Sequence, residues 1–466
     1  MNQSGLFFGF IGRYQTGLNF FQSLRKIKFI DNISGLQLFQ LLRFIIFLIV
    51  SIVFAKSQLT RAEIGSWESF LFVSSLLSFF WVTGIIQSLL PLYHRNRTYR
   101  RMGENEEGKS PEIFNAFILL TFFSFLFFAL GQSVKGYFSS DVPYINLLLL
   151  YLLLSNPVCL IEYIYLLNNR SHRIIQYGLI TYAAQLILIL VPFFLGKEII
   201  WSVYGLLGIT VIRWIWLIVL LRRYTDMKIS YQFMKEHLYL AFPLIITSLI
   251  SGSAQYIDGL IILTVFNDKA TFAIFRYGAK EFPLVLALAN GLSNAMLPEF
   301  STRVQMKESL AKIKAKSKRL MHLLFPAAMF MLLFAKWIYP RMFTHEFLRS
   351  ADIFMIYTLL IIPRLVFPQT IIIGRKKTHI TLIAAVLELA INVPLSIFLA
   401  HYKGTVGVAL ATFIVYCIEK IFLAGYVWIK MKIKPSEYIP LNVYTVYCIL
   451  ITILFVLIDH KVINIM

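Results

Sequence analysis

The residues able to do chemistry in this chain sit where charge is most expensive, inside long apolar runs. Ser248, Ser251, Gln255 and Asp258 are spaced three, four and three, which puts them on one face of a helix. A second run carries Arg276, Lys280, Asn290 and Asn294 near one face, with Glu281 beside Lys280. Gln37, Gln40 and Arg43 form a third stripe, and Ser74, Ser78 and Ser88 a fourth. An ionisable group at the centre of a membrane-spanning helix costs about 2.5–3.5 kcal/mol on insertion scales, so it faces a bundle interior or an aqueous hollow. One hollow lined by four helices accounts for all four stripes. Its candidate binding groups are Arg43, Arg276, Lys280, Asn290 and Asn294, with Asp258 and Glu281 as coupling or charge-balancing groups.

The embedded cations Arg43, Arg213, Arg276, Lys280, Lys336, Arg364 and Lys420 face a smaller set of carboxylates. Such a hollow suits an anionic cargo, because a guanidinium grips phosphate in a planar, bidentate way. Each group also has a plainer reading. Arg43 and Arg276 lie near enough to span ends to snorkel to the surface. Lys280 and Glu281 could neutralise one another, and Asp258 could be a structural partner for a cation. For Glu162, Arg213, Arg364, Glu388 and Glu419, on the other helices, pairing between helices is the expectation.

Residues 103–110, GENEEGKS, satisfy the phosphate-binding loop pattern G-x-x-x-x-G-K-S. That pattern works when a strand leads into it and a helix follows, so that backbone amides cradle phosphate. Here it links two apolar spans, and Glu104, Glu106 and Glu107 would repel a nucleotide. Ser110, Pro111 and Glu112 read instead as the cap and first turn of the next helix. No ATP binding is expected. Cys159, Cys417 and Cys448 all fall inside apolar runs and read as inert small hydrophobes, and the eight histidines show no metal-ligand spacing. Neither a cofactor, a metal nor a set of catalytic residues is expected, so the chain reads as something other than an enzyme.

The elements that position these groups follow from composition. The 466 residues are 58% hydrophobic and only 14% charged, and several apolar runs exceed the roughly 20 residues that cross a bilayer. The reading is an all-α polytopic membrane protein with spans near 35–55, 66–91, 113–131, 143–167, 174–195, 199–221, 238–265, 271–297, 320–340, 351–373, 379–400, 404–429 and 441–459. Nothing at the N-terminus resembles a cleaved leader. With that terminus in the cytoplasm, most of the 44 Lys and Arg fall on cytoplasmic segments, as the positive-inside rule requires. The net charge of +21 therefore speaks for anionic membrane lipids, met by HRNRTYRR at 94–101 and the basic stretch 312–319, rather than for nucleic acid. The stretch 303–319 and the segment 1–34, with apolar groups at helical spacing, read as amphipathic helices lying along the interface.

The chain also repeats itself. GIIQSLLPLY at 84–93 and GLSNAMLPEF at 291–300 share a Gly-x5-Leu-Pro ending, with Pro91 and Pro298 separated by 207 residues. His172 and His379 keep the same separation, Pro157 and Pro363 interrupt corresponding spans, and Gly205 and Gly208 face Gly404 and Gly407. Two six-helix bundles result, an N-terminal lobe over 35–221 and a C-terminal lobe over 238–429, joined by a cytoplasmic link at 222–237. Six is even, so both enter the membrane the same way round, about a pseudo-twofold along its normal. A thirteenth helix, 441–459, stands outside the repeat. Parallel repeats of this sort are a transporter architecture working by alternating access.

The segment YIDGLIILTVFNDKATFAIFRYGAKEFPLVLALANGLSNAMLPEFS, 256–301, resembles the seventh and eighth helices of Wzx-type polysaccharide flippases of the multidrug/oligosaccharidyl-lipid/polysaccharide (MOP) exporter superfamily. The resemblance implies translocation of an undecaprenyl-pyrophosphate-linked oligosaccharide across the bacterial inner membrane, for O-antigen, lipopolysaccharide, capsule or exopolysaccharide synthesis. It implies a polyprenyl pyrophosphate partner and roles for Arg276, Lys280 and Asp258; without ATP, the energy is expected from an ion gradient (H+ or Na+), the membrane potential or the cargo gradient. The odd helix count departs from that family's usual even number. Two rivals remain: a MATE-like drug or metabolite antiporter, which would want a carboxylate-dominated hollow, and a membrane enzyme of polysaccharide assembly, which would want a long catalytic loop.

Overall fold

The structure is a computed structural model, which describes residues 32–102, 111–138, 142–168, 170–300, 306–375 and 377–460. Residues 1–31 of the amphipathic segment expected over 1–34, the loop 103–110 and the stretch 301–305 lie outside the described residues. All regular structure within them is helical. The helices are α1 (Asn32–Ala55), α2 (Arg61–Met102), α3 (Pro111–Phe138), α4 (Ile145–Val158), α5 (Leu160–Leu167), α6 (Ser171–Phe194), α7 (Ile200–Tyr224) and α8 (Tyr231–Ile261). After a π-helical turn at Ile262–Phe266 come α9 (Lys269–Gly278), α10 (Pro283–Met296), α11 (Met306–Met342), α12 (Leu348–Leu359), α13 (Ile361–Arg364) and α14 (Pro368–Gly374). The chain closes with α15 (Thr378–Lys403), α16 (Thr405–Met431), the short α17 (Pro435–Tyr438) and α18 (Leu441–Asp459).

Eleven helices among the described residues are long and apolar enough to cross a membrane, or twelve if the pair bent by 49° between 345–364 and 368–374 counts as one. The count falls short of the thirteen expected because the span expected over 271–297 is not one helix. It breaks into α9 and α10, 10 and 14 residues long. The cause is local: Pro283 forces Phe282 out of the helical region, to φ −62° and ψ 111°, and then serves as the first residue of α10. Pro368 likewise opens α14 after the non-helical Phe367, whereas Pro363 lies inside the short α13. A wheel drawn through Arg276, Lys280, Asn290 and Asn294 as one face therefore does not hold. Two other expectations change too. Pro91 lies inside the 42-residue α2 and ends nothing, and the basic stretch 312–319 continues without interruption into the ninth span as part of α11, so it is no separate interfacial helix.

The chain divides into two compact units, one of residues 1–50, 85–134 and 146–241, the other of 51–84, 135–145 and 242–466. In the first, Asn115, fully buried, donates to the carbonyls of Pro111 and Lys228 and accepts from the Ser230 amide, which ties the start of α3 to the 225–230 connection. In the second, Phe72, Ile262, Phe272, Phe275 and Val408 form a core in which Phe72 meets Phe272 edge-on at 5.5 Å. Large apolar side chains such as Phe125, Ile215 and Ile421 stay exposed along the spans, as hydrocarbon-facing surfaces require.

Glycine sets the closest helix approaches. One residue, Gly404 at φ +64°, joins α15 to α16, and the tight hairpin brings Gly407 against the Leu399 carbonyl. A Cβ on Gly407 would lie 2.0 Å from that oxygen, and one on Gly205 2.1 Å from the Leu188 carbonyl of α6. The two hairpins share this close approach, but in it Gly205 corresponds to Gly407, not to Gly404. Gly84 and Gly291 do not match: the first abuts Ile245, and nothing lies within 4 Å of the second. Gly205→Ala and Gly407→Ala are expected to lower the thermal midpoint of the detergent-solubilised protein by several degrees, a loss of about 1–3 kcal/mol from overpacking. Gly208→Ala, in open space, should leave it unchanged.

The start of α9 is fixed by Asp268, whose carboxylate accepts from the Ala270 and Thr271 amides and from the Thr271 hydroxyl. The Thr271 hydrogen bonds hold its carboxyl below the usual carboxylate range. A lowered folded pKa gives stability that is present above the unfolded value and lost as pH falls through the folded one. Asp268→Ala is expected to destabilise by about 1 kcal/mol at neutral pH, and circular dichroism should show that difference from wild type vanishing in strong acid.

Candidate functional site

Asp258 is the most enclosed of the expected groups. On α8 its stripe-mates Ser251 and Gln255 are exposed, whereas Asp258 turns into the second unit and is 6% exposed. No cation pairs with it among the described residues. The Thr412 hydroxyl of α16 lies 2.6 and 2.7 Å from its two oxygens, and the Tyr357 hydroxyl of α12 donates to Oδ2. Beside it on α15 stand Glu388 and, one turn on, the fully buried Asn392. Asn392 accepts from Ser396 at 2.8 Å, which leaves its Nδ2 without a hydrogen-bond partner, and Glu388 Oε1 has none either. A carboxylate ringed by hydroxyl and amide groups can take a proton or a hard cation, oxygen ligands being what such cations prefer. No group of three or more His, Cys, Asp or Glu side chains among the described residues is placed to hold a metal.

The break between α9 and α10 carries the next charges. Glu281 does not pair with its neighbour Lys280. Arg364 reaches it from α13 in a bidentate pair, Nε and Nη2 donating at 2.9 and 2.7 Å, with the guanidinium over the Tyr416 ring at 4.9 Å. Lys280 rests its ammonium 5.1 Å above the Tyr277 ring and makes no ion pair among the described residues. Tyr277 is itself anchored, donating to the Ser51 carbonyl, while its own carbonyl accepts from Tyr339, both at 3.1 Å. Arg276, one turn before Lys280, lies over Phe72 at 5.4 Å with its Nε 3.8 Å from Glu68. At that distance charges attract but no hydrogen bond forms, and Arg276 Nε is left without an acceptor.

The remaining expected residues go elsewhere. Asn290 is exposed on α10, and the side chain of Asn294 lies outside the described residues. Arg43 belongs to the first unit, where it lines a cavity of about 140 Å³ with Glu162 and Arg213. Arg364 pairs across helices with Glu281, whereas Glu419 pairs not with another helix but with the adjacent Lys420 of its own, at 2.9 Å. Sequence reasoning passed over Glu68, Tyr357, Asn392 and Thr412. Glu68 carried a signal, as an acid within an apolar run. The other three are ordinary polar residues whose meeting with Asp258 depends on helices 99 to 154 residues away.

Comparison with known proteins follows this geometry. The family model described as "Lipid II flippase MurJ" matches residues 142–464. The fold is similar to the solved structure titled "Lipid II flippase MurJ, inward closed conformation", at 19% identity and a TM-score of 0.66, covering 91% of this chain and 92% of that one. It is also similar to an inward-facing multidrug resistance MATE family transporter of the MOP superfamily, at 15% identity and a TM-score of 0.56, over 83% of this chain and 98% of that one. No curated protein matches the chain. The superfamily expected from 256–301 stands, but the matched branch is MurJ and not Wzx, since hydropathy patterns common to the superfamily do not separate its branches.

Arg364→Ala would leave Glu281 half-buried and unmatched. It is expected to destabilise by about 3 kcal/mol, and the Glu281→Gln/Arg364→Gln pair, measured by thermal unfolding, should recover part of that loss.

Proposed function

The chain belongs to the lipid II flippase MurJ family, and from that premise we propose that it moves a saccharide precursor, linked through diphosphate to a polyprenyl tail, between the leaflets of a bacterial inner membrane. The single observation that carries this reading is the family match over 142–464. It makes the chain a transporter and not an enzyme. Physical chemistry agrees: a diphosphate cannot cross ~30 Å of hydrocarbon unaided, while a polyprenyl tail can remain in it.

In this reading Lys280 and Arg276 meet the diphosphate. Lys280 has no carboxylate partner among the described residues, and Arg276 keeps only a long contact with Glu68, so both retain attraction for an anion. Arg276 in the last turn of α9 and Lys280 in the break that follows are kept off a continuous helix face. Asp258, with Thr412, Tyr357 and Asn392, is the proposed coupling group, taking H+ or Na+ during alternating access between the two lobes. The basic clusters meet anionic lipids on the cytoplasmic side, with the N-terminus there. Lipid II is the cargo that the family's description names. The O-antigen, capsule or exopolysaccharide repeat unit has the likeness of 256–301 as its support, and a drug-antiport role has none from the charge balance.

In proteoliposomes, a fluorescent polyprenyl-diphosphate saccharide should become accessible from the opposite leaflet at least tenfold faster with the wild-type protein than with Arg276→Ala or Lys280→Ala, both inserted normally. Unchanged rates in both variants would sink the cationic-site assignment. Running lipid II and a surface-polysaccharide repeat unit side by side decides the headgroup. Asp258→Asn should lose its response to an imposed Na+ or pH gradient, and an unaltered response would remove the coupling role.

A further inference from the structure

The first unit holds a second set of charges, remote in kind from the groups above. Its cavity of about 140 Å³ brings together Arg43 of α1, Glu162 of α5, Tyr182 and Gln185 of α6, and Thr210 and Arg213 of α7. Arg213 donates from Nη2 to Gln185 Oε1 at 2.8 Å and sets its guanidinium over the Tyr182 ring at 5.1 Å. Its Nε is buried with no acceptor, and so is Gln185 Nε2. The Arg213 bond fixes which end of the Gln185 amide is oxygen, so the orphaned atom is a donor. Thr210 already directs its hydroxyl hydrogen to the Leu206 carbonyl at 2.8 Å. Arg43 makes no ion pair within 4 Å among the described residues.

Apart from Glu162, and hydroxyls such as those of Ser155, Tyr177 and Tyr182 that can accept as well as donate, the polar groups left without a partner at this space are donors or cations. With that carboxylate ionised, two guanidiniums against one carboxylate leave a single positive charge. Tyr151, Tyr177, Tyr182 and Cys159, the other titratable groups on the wall, add nothing to it while protonated. Buried donors without acceptors are costly in a low-dielectric interior, and Arg43, though its side chain is exposed, adds a charge that no protein carboxylate neutralises among the described residues. Water could satisfy the donors, since a space this large holds several molecules, each of which occupies about 30 Å³ in the liquid. Water cannot supply the missing charge.

We propose that this cavity binds one small monovalent inorganic anion of the chloride class, held by Arg43, Arg213 Nε–H and Gln185 Nε2–H. Glu162 sets the valence: it repels a dianion, and neutrality is reached with a single negative charge. A diphosphate-linked saccharide is too large and too highly charged for the space, so the site is separate from the proposed cargo site and does not rest on the flippase reading. The anion would bridge α1 to α6 and α7 by charge, where no protein ion pair does so.

The full-length protein in detergent tests it by thermal unfolding in sodium chloride against sodium gluconate at equal ionic strength. The wild type should show a saturable rise in midpoint with chloride, and Arg213→Gln and Arg43→Gln should each lose it. Glu162→Gln should bind chloride roughly tenfold more tightly, a change of about 1.4 kcal/mol. That gain has the opposite sign to simple structural damage and remains readable if an arginine variant fails to fold. Bromide should give an anomalous diffraction peak inside the cavity. No saturable chloride effect in the wild type, weaker binding in Glu162→Gln, a chloride response kept by both arginine variants, or displacement of chloride by equimolar diphosphate would each overturn the assignment.

Discussion

A charge inside hydrocarbon has no water to solvate it, so its partner must come from the bundle or from a ligand. That constraint organises both units. Glu281 is met by Arg364 in two hydrogen bonds, and Asp258 by the hydroxyls of Thr412 and Tyr357. Glu68 faces Arg276 across a gap too long for a hydrogen bond. Lys280 rests on an aromatic face, Arg213 keeps a bare Nε–H, and Arg43 has no carboxylate within ion-pair distance among the described residues. Lys280, Arg276, Arg213 and Arg43 are thus less fully matched than Glu281 and Asp258, although Glu388 Oε1 also lacks a hydrogen-bond partner.

The backbone prepares these positions by interruption. A continuous eighth helix would have carried Lys280 and Glu281 along its side, where each pairs only with what its face meets. The break before Pro283 instead places both between two helix ends, with Glu281 close to the start of α10, where unpaired amides favour negative charge. Close packing elsewhere keeps the break from collapsing. Gly278, the last residue of α9, sits so near α12 that a Cβ would lie 2.4 Å from the Ser350 carbonyl. The same logic, small residues where backbones must touch, fixes the α6–α7 and α15–α16 hairpins at Gly205 and Gly407.

How much of this could be read from the chain varied by feature. Long apolar runs gave up nearly every span, because twenty residues without charge have few alternatives to a membrane helix. The helix-breaking effect of Phe282–Pro283 was equally available, yet the surrounding hydropathy concealed it. The repeat was visible in glycine spacing, but its register was not, since Gly205 and Gly407 are set apart from Gly208 and Gly404 only by the carbonyl each one faces. Asp258, Arg276 and Lys280 stood out by their cost; their partners did not.

The amino-acid order by itself determined a basic, all-helical membrane protein with internal repetition and too many embedded cations for its embedded acids. Periodicity and transfer energy act locally, and both are written in adjacent residues. Only tertiary structure decided that Glu281 answers Arg364 and not Lys280, that Asp258 lies among hydroxyls, and that Arg43 shares a cavity with Arg213 and Glu162. Those outcomes depend on how helices distant in sequence rotate and approach one another, and packing alone sets those angles.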